Sequence, residues 1–306
     1  MRWEAIRLDN TRGSIFMILA MAAFSVEDML FKLAANHASI GILLIIFGLG
    51  GMSIFMMLTW RRGEDFVPPA IFSLPIFIRV TCEITARLCF ALAITLTPLS
   101  SASAILQATP LVVVLGAALI FGEVVSVKRW LAIGVGFIGV LMIVRPGLDS
   151  FSAASLFAVI STLGFAGRDL ATRAASSSIS NVQLGIYGFL ALIPAGILFE
   201  VYQPTSFYFS SDASWLILGV VIFGVVAYNA LTIAMRKGAV SVVTPFRYTR
   251  LLFALALGVV VFKETPDVMT LLGAGVIVLS GIYIMTQKKE NIAIVSPSLG
   301  VNIKKS

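Results

Sequence analysis

The chain has 306 residues, of which 59% are hydrophobic and 12% are charged, and its formal net charge is +7. A soluble domain carries roughly 25% charged residues, so this composition excludes a soluble globular protein and indicates a polytopic membrane protein. The basic residues flank apolar segments, as the orientation of membrane helices demands, and this placement excludes nucleic acid as the reason for the positive charge.

Ten apolar segments are long enough to cross a bilayer. Each must be a helix, because lipid offers no partner for unpaired backbone groups. The predicted spans 1 to 10 cover residues 14–34, 40–60, 72–94, 101–121, 130–145, 153–173, 182–201, 213–234, 241–262 and 268–286. An even number of spans places both termini on the same side. The sequence therefore predicts an all-α membrane protein with ten transmembrane helices.

The lysines and arginines between the spans are distributed unevenly between the two sides. With the N-terminus inside, Arg145 and Lys263 lie on the outside. The inside connections then hold Arg61, Arg62, Lys128, Arg129, Arg236 and Lys237. Because cytoplasmic loops are enriched in Lys and Arg, we predict a multi-pass protein of the inner membrane with cytoplasmic N- and C-termini.

The two halves of the chain resemble each other. Residues 14–33 match residues 155–174 without a gap, and the same offset aligns "FGE" at 121–123 with "FKE" at 262–264. One offset that holds at both ends of each half indicates an internal repeat.

Each half contains five spans, and because five is an odd number the second half must cross the membrane in the opposite sense. We therefore predict two inverted repeats, at residues 1–146 and 147–287, followed by a cytoplasmic tail at 288–306. Inverted repeats of this kind are typical of secondary transporters.

Ionisable side chains inside the spans are confined to spans 1, 3, 6 and 9. The central ones are Glu27, Asp28, Arg79, Glu83, Arg87, Arg168, Asp169, Arg247 and Arg250. A charge at this depth is costly and usually faces the bundle interior or a hydrated cavity. We predict that these four spans surround a wet cavity, whereas most of the others face lipid. The alternative is that the charges only hold the helices together.

Some of these charges have candidate partners in their own helix. Arg247 and Arg250 have no acid in span 9, so they need water, an acid from another span or an anionic ligand. The spacing of four residues predicts ion pairs Asp28–Lys32 and Asp169–Arg173, and it relates Arg79, Glu83 and Arg87 in span 3.

We predict that Arg87, Arg247 and Arg250 bind an anionic part of a substrate. The full set of predicted substrate-binding residues is Arg87, Gln107, Arg168, Tyr228, Asn229, Arg247, Tyr248 and Arg250. A second set is predicted to carry protons or to pair with these charges, namely Glu27, Asp28, Arg79, Glu83 and Asp169. A carboxyl that couples transport to protons must hold its proton more tightly than in water, which apolar surroundings promote.

The chain offers little for catalysis or for metal binding. His37 is the single histidine, and Cys82 and Cys89 lie in one apolar span, where buried thiols act as small apolar groups. A nucleophile with its base is missing, and so is a phosphate-binding G-x-x-x-x-G-K-[ST] loop. We predict no enzyme activity, no catalytic residue, no cofactor and no metal.

The start of spans 4 and 9 and the glycine-rich span after each form a pair of related stretches. They read "LSSASAILQATPLVVVLGAALIFGEVVSVKRWLAIGVGFIGVLMI" and "VSVVTPFRYTRLLFALALGVVVFKETPDVMTLLGAGVIVLSGIYI". With the ten spans, these stretches resemble the EamA branch of the drug/metabolite transporter superfamily. The resemblance implies a basket of helices around a central cavity, lined by spans 1, 3, 4, 6, 8 and 9. It also implies alternating access without ATP hydrolysis.

We predict a secondary carrier for a small organic metabolite that bears an anionic or carboxylate group, such as an amino acid, an aromatic metabolite or a riboflavin-like compound. The predicted partners are this molecule and the lipid bilayer, with the proton as a candidate coupling ion and spans 5 and 10 as a candidate homodimer face. The alternatives are a carrier that exports drugs or toxic metabolites, a channel and an intramembrane enzyme. A channel fits less well because it more naturally forms a ring around a shared pore.

Overall fold

The computed structural model describes residues 2–96, 105–144, 155–202, 211–262 and 267–286, and its regular elements are helices. The helices are α1 (Arg2–Ala34), α2 (Ile40–Arg61), α3 (Leu74–Leu96), α4 (Thr109–Phe121), α5 (Val127–Val144), α6 (Ser155–Ala174), α7a (Asn181–Leu190), α7b (Leu192–Tyr202), α8 (Ser211–Lys237), α9a (Val240–Val243), α9b (Thr249–Phe262) and α10 (Val268–Thr286). Each predicted span corresponds to one of these helices or to one broken pair.

Among the described residues, predicted spans 7 and 9 are broken helices, and a proline explains each break. Pro194 follows the interruption between α7a and α7b, and Pro245 lies in the short 3-10 segment Thr244–Tyr248 that joins α9a to α9b. Proline has no N–H for the carbonyl four residues earlier, and its ring clashes with that carbonyl. Pro245 therefore interrupts span 9.

Five helical stretches among the described residues are long and apolar enough to cross a membrane on hydropathy alone. They are Asp9–Ala34, Ile40–Arg61, Asn181–Tyr202, Ser214–Lys237 and Val240–Val261. Helices α3 and α6 are long enough, but each carries three or more charged side chains. Large apolar side chains such as Phe72, Trp60 and Trp215 are exposed on the outer surface, where lipid solvates them at no cost.

The helices pack according to the symmetry that the repeat predicts. Helix α1 packs on α8, and its repeat equivalent α6 packs on α3. Likewise α1 contacts α9b, and α6 contacts α4, while α2 packs on α7 and α5 packs on α10. Each of these pairings maps onto another, or onto itself, when the halves are exchanged. The fold is therefore two inverted five-helix repeats that interlock along their length.

The repeat extends to the caps at the helix ends. Ser39 and its repeat equivalent Ser180 are the N-cap residues of α2 and α7a, and each hydroxyl accepts a backbone N–H of its own helix. Each also donates to a glutamate near the far end of the partner helix: Ser39 to Glu200 at 2.5 Å and Ser180 to Glu64 at 2.5 Å. These bonds join α2 to α7 at both ends of the bundle.

Helices α5 and α10 approach each other through small residues. A Cβ at Gly139 would lie 2.8 Å from the carbonyl oxygen of Gly273, and a Cβ at Gly273 would lie 2.7 Å from the carbonyl oxygen of Gly139. At the symmetry-related crossing point, the Ser280 hydroxyl donates to the Ala132 carbonyl at 2.6 Å. Glycine at these positions permits the close packing of membrane helices.

A methyl group at Gly139 is therefore expected to destabilise the protein. Gly139→Ala forces the two backbones apart, and we expect a loss of about 1–3 kcal/mol, measured as a lower melting temperature in detergent. Gly134→Ala is the matched control, because nothing lies within 4 Å of a Cβ at Gly134. Equal melting temperatures for the two variants would contradict the close approach.

Candidate functional site

Four charged side chains from α3 and α6 form the buried centre of the charge network. Glu83 accepts hydrogen bonds from Nη1 of Arg168 at 3.2 and 3.3 Å. Arg168 also binds Asp169, with Nε at 2.9 Å and Nη2 at 2.8 Å from Oδ1. With Arg79, these residues are at most 4% exposed, and we call them the buried cluster.

No carboxylate among the described residues contacts Arg79 directly. Its Nε donates to the Thr172 hydroxyl at 2.9 Å, and its Nη2 donates to the Tyr228 hydroxyl at 2.8 Å. Tyr228 in turn donates to Glu83 at 3.1 Å, so its hydroxyl relays the interaction between Arg79 and Glu83. The Arg79 guanidinium also lies 5.5 Å from the centre of the Tyr228 ring.

The buried cluster balances two guanidiniums with two carboxylates. Removing a charge from water costs several kcal/mol, and attraction between close partners offsets this cost only when their hydrogen bonds are satisfied. Three helices supply these partners, since Tyr228 belongs to α8. The cluster therefore fixes the relative positions of α3, α6 and α8 in the centre of the bundle.

Two further arginines lie at the rim of the buried cluster and give it a surplus of positive charge. Arg87 binds Glu83 through Nε at 3.3 Å, and its side chain is 17% exposed. Arg247 binds Asp169 through Nη1, and its side chain is 11% exposed. The two Nη groups of Arg87 make no hydrogen bond to the described residues, while its guanidinium lies 5.6 Å from the ring centre of Phe165.

The ion pair between Asp28 and Arg250 is the most open of the charge pairs that the described helices form in the bundle interior. Arg250 donates Nε to Asp28 at 2.9 Å and also binds it through Nη2. The side chains are 49% exposed for Asp28 and 28% exposed for Arg250. The guanidinium lies 5.1 Å from the ring centre of Phe24, and the Ser25 hydroxyl donates to the Arg250 carbonyl at 3.0 Å. Helix α1 thus contacts Arg250 through three residues on adjacent turns.

Glu27 is buried, and its Oε2 has no hydrogen-bond partner among the described residues. The repeat explains why. Glu27 is equivalent to Arg168, and Glu83, the partner of Arg168, is equivalent to Gly224. Glu27 Cγ lies 3.8 Å from the position of a Cβ on Gly224, so Glu27 faces a glycine where the other half has an ion pair.

Of the three partners considered for Arg247 and Arg250, the structure selects an acid from another helix. Asp169 of α6 binds Arg247, and Asp28 of α1 binds Arg250. The expected pair Asp169–Arg173 is wrong, because Arg173 instead donates to the carbonyls at the end of α8, with 2.7 Å to that of Arg236. Both carboxylate oxygens of Asp169 are bound by other guanidiniums, Oδ1 by Arg168 and Oδ2 by Arg247.

Thr172 is a member of the network that the sequence did not single out. Its hydroxyl accepts from Arg79 and donates to the Arg168 carbonyl at 2.8 Å. The spacing of four residues after Arg168 was an available signal, because it places both side chains on one helix face. Phe24 and Phe165 occupy equivalent positions, and each lies beside a guanidinium.

Three predicted binding residues lie apart from this network. Tyr248 packs with Val140 and Ile277, and Gln107 lies in the turn before α4. Asn229 lines a separate cavity of about 270 Å³ between α1, α2, α7a and α8. Their roles as substrate ligands stay predictions. The serines predicted to line span 4, at 100, 101 and 103, lie outside the described residues.

Known proteins resemble the chain in sequence and in fold. A family model described as the EamA-like transporter family matches residues 11–145 and 152–287. The chain is 30% identical over 203 residues to the riboflavin transporter of Vibrio cholerae, covering 64% of this chain and 67% of that protein. It is 26% identical over 285 residues to the pseudopaline exporter CntI of Pseudomonas aeruginosa, covering 90% and 97%.

Two further relatives extend this comparison. The S-adenosylmethionine uptake transporter of Rickettsia prowazekii is 22% identical over 203 residues, which covers 65% of this chain and 67% of that protein. A crystal structure superimposes with a TM-score of 0.76 at 16% identity, covering 89% of this chain and 96% of the other. This likeness shows the fold.

Removing the central carboxylate should destabilise the protein strongly. Glu83→Gln leaves buried guanidiniums with fewer counter-charges, and we expect a loss of about 3–5 kcal/mol. Tyr228→Phe removes one hydroxyl and should cost about 1–3 kcal/mol. Melting curves in detergent give both values. A Glu83→Gln variant as stable as the native protein would show that the cluster contributes nothing to folding.

Proposed function

Because the chain belongs to the EamA-like transporter family, we propose that it moves a small organic metabolite with an anionic or carboxylate group across the inner membrane. It works as a secondary carrier by alternating access. The observation that carries this proposal is the surplus of guanidinium groups at the rim of the buried cluster. A cationic rim at this depth is unfavourable unless water or an anion faces it.

Arg87 is the first candidate ligand for the anionic group. Its Nη groups are free of described partners, and a guanidinium fork matches the two oxygens of a carboxylate. The buried cluster holds Arg87 by Nε, and Phe165 supports its flat face. Little side-chain freedom is then lost when a carboxylate binds, which is the advantage of a pre-organised site.

Arg250 is the second candidate ligand, and an anionic substrate would replace Asp28 as its partner. An anionic substrate competes with the open Asp28 carboxylate for the same donors. Breaking this pair costs less than breaking a fully buried one, because water can reach the released carboxylate. Since Asp28 lies on α1 and Arg250 on α9b, the exchange loosens a contact between the two halves of the molecule.

A proton is the proposed coupling ion, with Asp28, Glu27 and Glu83 as candidate carriers. Protonation of Asp28 removes the charge that holds Arg250 and so frees the guanidinium for the substrate. Glu27 lies beside Asp28 in the sequence, and its Oε2 lacks a partner among the described side chains. Glu83 already accepts three donors, which makes it better suited to hold the arginines than to release a proton.

The named cargo of the relatives defines the first compounds to try: riboflavin, S-adenosylmethionine and pseudopaline. Export is the second candidate, because the pseudopaline exporter aligns with 90% of this chain. The proposed orientation has cytoplasmic N- and C-termini, which places the connection between α4 and α5 in the cytoplasm. A homodimer through α5 and α10 stays a proposal.

Replacing Arg250 should abolish transport without unfolding the protein. The substrate is first identified by a thermal-shift screen, because a ligand that binds the folded form raises its melting temperature. Counterflow of that compound is then measured in proteoliposomes. We expect Arg250→Ala to reduce counterflow at least about tenfold through loss of one charge-assisted contact.

Arg87→Lys should raise KM more than it lowers the maximal rate, because lysine cannot bind bidentately.

The matched control is Arg61→Ala, which removes an exposed arginine at the end of α2. Its counterflow should equal that of the native protein. The carrier assignment fails if the compound equilibrates without stimulation by substrate on the opposite side, since this behaviour marks a channel. Undiminished counterflow in Arg250→Ala would remove Arg250 from the binding site.

A further inference from the structure

The beginning of α9a is clamped by two side chains, one from α1 and one from the connection after α4. The Glu123 carboxylate, in the connection after α4, accepts the backbone N–H of Val240 at 3.1 Å and that of Ser241 at 3.1 Å. The Asn10 side chain of α1 accepts the N–H of Ala239 at 2.8 Å. The first amides of a helix have no partner within it, and these two side chains satisfy three of them.

The clamped segment closes this end of the bundle. Val240, Val243 and Thr244 are fully buried, and Val243 packs against the small residues Gly13 and Gly238. A Cβ at Gly13 would lie 2.8 Å from Val243 Cγ1. Helix α1, the end of α4 and α9a are therefore tightly packed at this end.

The same chain segment carries both the clamp and the rim of the candidate site. The clamp holds residues 239–241, and Arg247 and Arg250 follow after the break at Pro245. A broken helix allows its first part to move relative to the second part, because the missing hydrogen bond removes a constraint. A change of partner at Arg247 or Arg250 can thus act on α9a.

We propose that Asn10 and Glu123 form a latch that closes this end of the transporter, and that its release is the step that opens the candidate site to this side. This inference rests on the proposed carrier function. In the closed state, the latch holds α9a against α1 and α4. Release leaves the three amides to water, which is possible only when this end is open, because a buried unpaired amide is costly.

The two halves of the sequence are unequal at the latch. The repeat equivalents of Asn10 and Ala239 are Phe151 and Pro98, which lie outside the described residues, as does Glu264, the equivalent of Glu123. Phenylalanine accepts no hydrogen bond through its side chain, and proline has no N–H to donate. The third bond of the latch therefore has no counterpart in the other half, and this favours a resting state closed at the Glu123 end.

The test measures closure without a substrate. Val243→Cys is introduced into the full chain after replacement of Cys82 and Cys89 by alanine, and the protein is reconstituted in liposomes. The rate of labelling by a polar maleimide then reports how often this end opens. We expect Glu123→Ala to raise the rate at least about tenfold, Asn10→Ala to raise it by a smaller factor, and Glu123→Gln to fall between them.

Glu64→Ala is the matched control, because Glu64 also accepts a hydrogen bond at this end, but from the Ser180 cap of α7a. Its labelling rate should equal that of the parent. An unchanged rate in Glu123→Ala, or an equal rise in Glu64→Ala, overturns the latch. If Glu123→Ala does not give a monodisperse protein, Glu123→Gln and Asn10→Ala decide the question in the same way. Counterflow plays no part, so a wrong substrate assignment leaves the result intact.

Discussion

The cost of burying guanidinium groups inside a membrane bundle governs the arrangement of this molecule. Arg79 and Arg168 are nearly inaccessible, and each has at least one partner on a different helix. Because an unpaired charge in this position is costly, the helices that supply Glu83, Asp169 and Tyr228 cannot separate freely. The packing of α3 against α6, and the contact of α3 with Tyr228 of α8, follow from this electrostatic requirement as much as from apolar contact.

The internal repeat determines how the helices pack, and the sequence differences between the two halves determine which charged groups lie at the candidate site. Equivalent helices pack in equivalent ways, but equivalent positions carry different groups: Glu27 corresponds to Arg168, and Gly224 to Glu83. One half therefore contains a closed ion pair where the other contains a buried acid that faces a glycine. The two halves therefore share one helical frame but place different charged groups at equivalent positions of the candidate site.

Helix α9, made of α9a, the break at Pro245 and α9b, links the candidate site to neighbouring helices. Its broken form brings together a clamped first turn, a proline break and two arginines whose partners lie on α1 and α6. An anion that competes for Arg250 changes a contact between the two halves, because Asp28 lies on α1, whereas Arg247 and Asp169 both belong to the second half. The candidate ligands and the proline break thus lie on one element, and a ligand shifts only states that it binds differently.

The sequence by itself determined the membrane class, the spans, the repeat and the four helices that carry charge, because hydropathy and periodicity are properties of each segment alone. Only the tertiary structure decided which charges meet. Asp169 and Arg173 have the spacing of a helical pair, yet Arg247 and Arg168 surround Asp169 instead. The choice of partner depends on which helices are neighbours and on how closely their side chains approach. The sequence of a single segment determines neither of these.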